Sequence, residues 1–266
     1  MNTNERIELP TASTYTAGAT EQLLSGGHLL RRAFLEMPRV DARHRGQVII
    51  TCEERNPPVL LVHSGFGYRC CPLADGRRAI VDLVLPGDVV GAEHAVFGRS
   101  NLNLTVASTL SYRRLDGEAL RRLMAEPAIA LRVLALAGEN RTQMERHTIA
   151  ITRGNAQERL ADLLIDIHDR LKRAGLIARP TFNLPLTQEE LGDYLGLTPV
   201  HVSRTAKRLR EEHLVIVDRH VVIICDLDGL REIATGRADR TRNLRPPPDA
   251  IDRPGEFLQR GTFVGQ

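Results

Sequence analysis

Short apolar runs separated by turn residues fill the chain from about residue 45 to residue 116. The runs have the length of strands and lie at 47–51, 58–65, 78–85, 88–92 and 104–115. Between them, Asp75-Gly76 is typical of a hairpin because both residues tolerate positive φ, and Pro86-Gly87-Asp88 predicts a second tight turn. Several short strands separated by regular turns predict a β-barrel or β-sandwich.

The hydrophobic period changes to that of helices on both sides of this block. Residues 20–37 predict one helix, and Glu126-Pro127 opens a much longer one. Apolar residues recur along the long helix at steps of three, four and seven, interrupted by Arg141 and Thr148. This seam consists of Ala130, Leu134, Ala137, Met144 and Ile151. A narrow seam favours pairing with a partner helix, and packing on the chain's own β-block remains the alternative.

The remainder of the chain predicts a helical region and a polar end. Residues 156–174 form one amphipathic pattern, with Gly175 at the position of a C-terminal cap. After Pro180, two helices and two short strands are expected, ending near Ala234. From Gly236 onward, Pro and charged residues occur without periodicity, which predicts a flexible and weakly basic tail.

The most informative segment runs from residue 186 to residue 217. Thr187 followed by Glu190 is a capping box, so a helix is expected to begin at Gln188. Thr198 and Pro199 are typical of the first positions of a second helix. Gly192 permits a close crossing of the two helices, which is characteristic of a helix-turn-helix. The expected buried positions are Leu191, Leu195, Leu197, Val202 and Leu209.

The other face of the second helix is polar and mainly cationic. It carries His201, Ser203, Arg204, Lys207, Arg208 and Arg210. Cations along about three turns suit insertion into the major groove of DNA. The segment 214–225 then predicts two strands joined by a turn at residues 218–220, which is the wing of a winged helix-turn-helix. A helical hairpin with solvated charges is the alternative.

These elements, in this order, resemble the CRP/FNR superfamily of bacterial transcription regulators over roughly residues 20–235. The segment 186–215 is similar to the family's DNA-binding motif. The Asp75-Gly76-Arg77 turn and the Pro86-Gly87-Asp88 segment followed by Gly91 are similar to the family's β-domain. The resemblance implies an α+β fold with an N-terminal cyclic-nucleotide-binding-like β jelly roll, a long dimerisation helix and a C-terminal winged helix-turn-helix.

The resemblance also implies a domain organisation and a function. We expect a flexible N-terminus (1–19), a jelly-roll sensor domain (20–125), a dimerisation helix (126–153), a DNA-binding domain (154–235) and a flexible tail (236–266). The implied function is that of a homodimer that recognises an inverted repeat in double-stranded DNA through a major-groove helix. RNA polymerase is a further expected partner.

Site residues are carried over position by position. The resemblance implies that Arg204 reads guanine and that Ser203 and Lys207 approach bases or phosphates. The family often has a glutamate where this chain has Val200, and a valine contacts a thymine methyl group instead of cytosine. The full set of expected DNA-binding residues is Thr187, Gln188, Thr198, Val200, His201, Ser203, Arg204, Lys207 and Arg208.

The sensor domain departs from the family's cyclic-nucleotide binders. Gly91, Arg99 and Ser100 match parts of the ligand pattern, but Ala92 stands where the ribose-binding glutamate is expected. Glu93 is one residue late, and in a β segment it would point to the opposite face. We therefore expect no cyclic nucleotide, although a cyclic-nucleotide-gated or redox-gated sensor remains an alternative.

Other cofactors lack a supporting pattern. Iron–sulfur sensing in the family needs clustered N-terminal cysteines, whereas none precedes Cys52 here. Cys70 and Cys71 are expected on opposite faces of a strand, as incidental or redox-active thiols, and Cys225 as a core residue of the wing. Five histidines are haem candidates by residue type only. They are His28, His44, His63, His94 and His147, the last expected to be solvated beside the seam.

Composition and the remaining motifs narrow the class of protein. The 266 residues carry a net charge of +3, and no uninterrupted apolar stretch is long enough to cross a membrane. The sequence lacks the G-x-S-x-G, H-E-x-x-H and P-loop patterns, and paired carboxylates such as Glu189-Glu190 are expected to be solvated. We expect a cytoplasmic protein that is not an enzyme and does not contact membranes. A signalling module whose charged helix binds protein is the alternative from another class.

Overall fold

The computed structural model of the protein describes residues 17–42 and 44–236. Residues 1–16 and 237–266, which make up most of the two predicted flexible segments, lie outside the described part. The first helix, α1 (Ala17–Leu35), begins three residues before the predicted position.

Two four-stranded antiparallel sheets follow α1. The elements are β1 (Arg39–Ala42), β2 (Val48–Ile50), β3 (Val59–Ser64), β4 (Gly67–Pro72), β5 (Arg78–Val84), β6 (Val89–Val90), α2 (His94–Phe97), β7 (Asn103–Val106) and β8 (Leu110–Leu115). The strand orders of the two sheets are β1-β8-β3-β6 and β2-β7-β4-β5. This is the predicted jelly-roll-like block. Its run at 104–115 is divided between the two sheets, and β1 lies outside the predicted runs.

Each of the two predicted turns of this block contains a glycine with a positive φ. Gly76 in the β4–β5 hairpin has φ +84°, and Gly87 before β6 has φ +97°. Both values lie in the left-handed region that glycine adopts without steric cost. The sheets enclose a core that includes Ile50, Leu60 and Leu110, all nearly inaccessible to solvent.

Three helices connect the β-block to the C-terminal region. They are α3 (Gly117–Leu123), α4 (Pro127–Arg153) and α5 (Ala156–Arg173). The N-terminal half of α4 packs on α1 through Ile129, Val133 and Leu136. The predicted seam lies on a different side of α4, where Leu134 is 69% exposed and Met144 is 49% exposed.

The C-terminal region contains more elements than predicted. They are β9 (Thr181–Asn183), α6 (Gln188–Leu195), α7 (Pro199–Glu211), β10 (Val215–Asp218), β11 (Val221–Ile224) and α8 (Leu227–Ala234). The predicted wing, β10–β11, includes β9 as a third strand in the order β10-β11-β9. The expectation for Cys225 was wrong, because it lies one residue beyond β11 and is half-buried.

One hydrophobic core joins the β-block to the C-terminal region. Tyr68 and Leu83 of the β2-β7-β4-β5 sheet belong to the same buried cluster as Leu164 of α5 and Leu195 of α6. Polar contacts reinforce this packing at α6: Arg78 Nε lies 2.7 Å from Asp193 Oδ2.

Arg45 makes the second polar connection between the two regions. It pairs with Glu190 and donates to the Pro185 carbonyl at 2.8 Å. Glu190 is therefore buried and paired, so the expectation that it is solvated was wrong.

Candidate nucleic-acid interface

Helix α6 begins and ends at the predicted residues. The Glu190 amide donates to Thr187 Oγ1 at 3.1 Å, and the Thr187 amide donates to the Glu190 carboxylate at 2.8 Å. This reciprocal capping box satisfies two amides that would otherwise lack partners. The helix ends at Gly196, whose φ of +64° turns the chain sharply. Thr187 and Gln188 are exposed at the start of α6.

The crossing of α6 and α7 depends on Gly192. A Cβ atom at this position would lie 2.5 Å from the Leu197 carbonyl oxygen, which is closer than real contacts allow. The next helix is capped by Thr198, whose Oγ1 accepts from the His201 amide at 3.2 Å. Pro199 occupies its first position, where the missing N–H has no intrahelical partner in any case.

Helix α7 has one buried face and one exposed face. Val202, Thr205 and Leu209 are buried, as are Leu191 and Leu195 of α6, while Leu197 is partly buried. The exposed side chains are Val200, His201, Ser203, Arg204, Lys207, Arg208 and Arg210. The predicted division of α7 into two faces is therefore confirmed.

The cations on α7 are held only loosely. Lys207 Nζ lies 3.7 Å from Glu211, and Arg208 Nε lies 3.1 Å from Glu212, in pairs four residues apart along the helix. Arg204 has no hydrogen-bond or ion-pair partner within the described part of the chain. Exposed pairs of this kind contribute about 0.2–1 kcal/mol, so they exchange readily for contacts with phosphate.

Comparisons with known proteins agree with this geometry. The model of the Crp-like helix-turn-helix domain matches residues 158–233. The chain is 31% identical over 204 residues to the transcriptional activator protein FnrL of Cereibacter sphaeroides, covering 73% of this chain and 79% of FnrL. It is 34% identical over 202 residues to the nitrogen fixation regulation protein FixK of Rhizobium meliloti, covering 74% of this chain and 88% of FixK.

The chain belongs to the CRP/FNR family. It is a DNA-binding transcription regulator, as its sequence predicts. The structure of FixK2 from Bradyrhizobium japonicum has the same fold, with a TM-score of 0.66 at 24% identity over 74% of this chain and 96% of FixK2. No helix among residues 17–42 and 44–236 has the length and apolar character needed to cross a membrane.

The three residues that match the family's ligand pattern make contacts within the chain. Gly91 has φ +82°, and a Cβ there would lie 2.4 Å from the ring of His94. Arg99 Nη1 lies 3.4 Å from Glu53 Oε2 at the surface. The buried Ser100 hydroxyl donates to the Leu102 carbonyl at 2.7 Å. The three candidate residues therefore each have a structural explanation.

Glu93 occupies a turn and not a strand. It immediately precedes α2, and Arg69 Nη2 donates to its carboxylate at 2.6 Å. The expectation that Glu93 points to the opposite face of a β segment was therefore wrong.

The cysteines are free thiols, and within the described residues they form no metal-binding cluster with neighbouring side chains. Cys70 is buried, and its Sγ lies 3.8 Å from Thr105 Oγ1. Burial raises the pKa of the Cys70 thiol. Cys71 is half-buried, so the two neighbours differ as predicted for opposite faces of a strand. Within the described part of the chain, no group of three or more His, Cys, Asp or Glu side chains is placed to hold a metal ion.

His147 is not the solvated helix residue that the sequence predicts. Its ring stacks on Tyr194 of α6, with 4.0 Å between ring centroids and 21° between ring planes. Burial lowers the pKa of His147. The contact links α4 directly to the helix-turn-helix, and periodicity does not reveal it because the two rings come from helices far apart in the sequence.

A half-buried ionic cluster lies beside this stack, where the β-block, α4 and α5 meet. Arg170 pairs with Asp88 and Asp166, and it also donates to the Leu83 carbonyl at 2.8 Å. Burial raises the pKa of Asp82 to about 6, although Arg170 and Arg69 oppose this change. Sequence reasoning missed this cluster because its members come from separate segments.

Proposed function

We propose that the protein binds DNA as a homodimer and recognises an inverted repeat through α7. The exposed cationic face of α7 is the observation that carries the proposal. Two such helices related by a two-fold axis would enter major grooves about one turn, or roughly 34 Å, apart. FnrL is named a transcriptional activator, so contact with RNA polymerase is part of the proposal.

The seam of α4 supports the dimer. Leu134 and Met144 are exposed, while Ile129 and Val133 of the same helix are already buried against the chain's own core. Fully burying one leucine contributes about 1.5–3 kcal/mol, so a second copy of the helix would remove a substantial apolar surface from water.

Leu134→Glu tests this dimer. Sedimentation should show a monomer, and DNA affinity should fall with it. Leu24→Glu changes a leucine of α1 that is similarly exposed, at 63%, and should leave the dimer intact. A dimer that persists in Leu134→Glu at micromolar concentration contradicts the seam as the interface.

Individual residues have distinct proposed roles in reading the site. Arg204 places its guanidinium on the O6 and N7 atoms of guanine, and Val200, 68% exposed, contacts a thymine methyl group. Ser203 and His201 approach neighbouring bases. The remaining contacts are to phosphates and come from Thr187, Gln188, Thr198, Lys207 and Arg208.

Selection of bound sequences from a random duplex pool tests the proposed function. The full chain should enrich an inverted repeat, with guanine at one position of each half-site. Arg204→Ala should lose the preference at that position, whereas Arg122→Ala, an exposed arginine on α3, should not. Failure to enrich any symmetric site contradicts the proposal.

We further propose that no cyclic nucleotide occupies the positions around Gly91, Arg99 and Ser100. The supporting observations are the ring of His94 against Gly91 and the pairing of Glu93 with Arg69. Calorimetry with cyclic AMP and cyclic GMP should show no saturable heat. Saturable binding that Arg99→Ala abolishes would favour the cyclic-nucleotide-gated alternative.

A further inference from the structure

Arg159 of α5 joins the ends of two other helices. Its Nε donates to the Gly154 carbonyl at 2.8 Å, and its Nη1 donates to the Leu195 carbonyl at 3.0 Å. Gly154 caps the C-terminal end of α4, and Leu195 is the last residue of α6. Carbonyl groups at the end of a helix lack partners within that helix. One guanidinium therefore supplies donors to two such groups and connects the end of α4 to the end of α6.

Two further contacts place the last turns of α4 against α6. The ring of His147 stacks on the ring of Tyr194, with 4.0 Å between the ring centroids. Gly196 forms the turn between α6 and α7. A Cβ atom at Gly196 would lie 3.4 Å from Arg159 Nη1 and 3.8 Å from Ile151 Cγ2. The turn of the helix-turn-helix therefore contacts both Arg159 and the last turn of α4.

The direction of α7 follows from the direction of α6. Helix α7 begins at Pro199, three residues after Gly196, and the close approach at Gly192 fixes the crossing of the two helices. Ile151 belongs to the seam of α4 that the proposed dimer buries. The contacts of Arg159 thus connect the seam to α7, and they determine where each α7 lies relative to the two-fold axis.

We propose that Arg159 is a positioning residue that sets the spacing between the two half-sites recognised by the dimer. The inference rests on the proposed function, because only a dimer that reads two half-sites has a spacing to set. The guanidinium holds its donors in a rigid plane, so the two carbonyls must keep their relative position for both hydrogen bonds to form. In this role Arg159 acts through α7 and leaves the base preference of α7 unchanged.

Arg159→Met tests the proposal, because methionine keeps an apolar stem and removes the donors. The affinity of the full chain is measured for the selected inverted repeat and for repeats whose spacer is one base pair longer or shorter. One base pair changes the separation of the half-sites by about 3.4 Å and their relative rotation by about 35°. The affinity ratio between the selected and the altered spacing should fall by a factor of about two to ten, the range for one net hydrogen bond.

Arg173→Met provides the matched control. Arg173 also lies on α5 and also donates to a carbonyl, but the acceptor is Asp169 of the same helix, at 3.3 Å. Its replacement removes the same charge and should keep the spacing preference. A duplex with a single half-site provides a second control, because binding to it requires no particular spacing. Arg159→Met should bind this duplex as the unmodified chain does.

A merely structural role for Arg159 predicts a different pattern. The variant would then lose affinity for every spacing and for the single half-site by the same factor, and this result overturns the proposal. An unchanged spacing preference also overturns it, as does an equal fall in Arg173→Met. If Arg159→Met does not fold, His147→Leu decides, because it removes the stack on Tyr194. This second variant should weaken the spacing preference, and an unchanged preference overturns the proposal.

Failure of the inference and failure of the proposed function give distinguishable results. If the unmodified chain binds its selected repeat at one preferred spacing and Arg159→Met keeps that preference, the inference fails and the proposed function stands. If the unmodified chain enriches a symmetric site but accepts all three spacings equally, the inference again fails alone. If the unmodified chain enriches no symmetric site, the proposed function itself fails and the inference fails with it.

Discussion

Charged residues are used in opposite ways on α7 and at the junction of the β-block with α4 and α5. On α7, Arg204 and Lys207 extend into solvent and have at most weak partners. At the junction, Arg170 is 11% exposed and is paired with two carboxylates and a backbone carbonyl. The comparison shows that an arginine-rich sequence does not itself identify a DNA-binding surface. The surface is identified by several weakly paired cations that lie together on the exposed face of the second helix of a helix-turn-helix.

Removing the ion pairs of Arg170 at the junction should cause the largest decrease in the free energy of unfolding. Arg170→Ala leaves Asp88 and Asp166, which are half-buried, without their main partner. Removing one partner of a buried pair costs about 3–5 kcal/mol, so a cost near the lower end of this range is expected. Urea denaturation should show this decrease in the free energy of unfolding. Arg122→Ala, which removes an exposed pair with Glu118, should change it by less than about 0.5 kcal/mol. Equal effects would contradict the comparison.

The next largest loss of stability is expected from a larger residue at the crossing of α6 and α7. Gly192→Ala places a Cβ atom against the Leu197 carbonyl, and overpacking against backbone should destabilise the fold by about 3 kcal/mol. Gly27→Ala provides the control, because its Cβ would meet only the flexible side chain of Arg132 at 3.9 Å. If thermal unfolding shows both variants to be equally stable, the close approach at Gly192 is not required.

Removing single cations from α7 should weaken binding without affecting the fold. Arg204→Ala should cost about 2 kcal/mol of binding free energy on the selected duplex and relax one base position. Lys207→Ala should weaken binding to all duplexes alike and reduce the salt slope by about 1. Fluorescence titration against matched and mutated duplexes measures both. A uniform loss for Arg204→Ala would contradict its role in base reading.

The smallest expected effect is the loss of stability at acidic pH that protonation of His147 causes. Its folded-state pKa is lowered by burial, so the unfolded chain binds the proton more readily than the folded chain. The contribution of neutral His147 to stability should therefore be full above the unfolded pKa of about 6.5 and decrease as pH falls below it. His147→Gln should reduce this acid sensitivity in denaturation between about pH 7 and pH 5.5. An unchanged pH dependence would contradict the buried stack with Tyr194.

The sequence predicts the interface better than the connections between domains. Thr187 and Glu190 are three residues apart, so the capping box is visible as a local pattern. The exposed face of α7 follows in the same way from helical period. In contrast, Arg45 meets Glu190 across 145 residues, a contact that depends on how complete domains pack. Strand β9 was missed because its three residues obtain their stability from pairing with β11.

The core shared by the β-block and α5 has a consequence for any change of state. If α5 and α7 move together relative to the β-block, Tyr68 and Leu83 must separate from Leu164 and Ile167. Each Å² of apolar surface exposed in this way costs about 25 cal/mol. The shared core therefore stabilises one arrangement of the two regions. A signal that changes this arrangement must supply the free energy needed to expose the core.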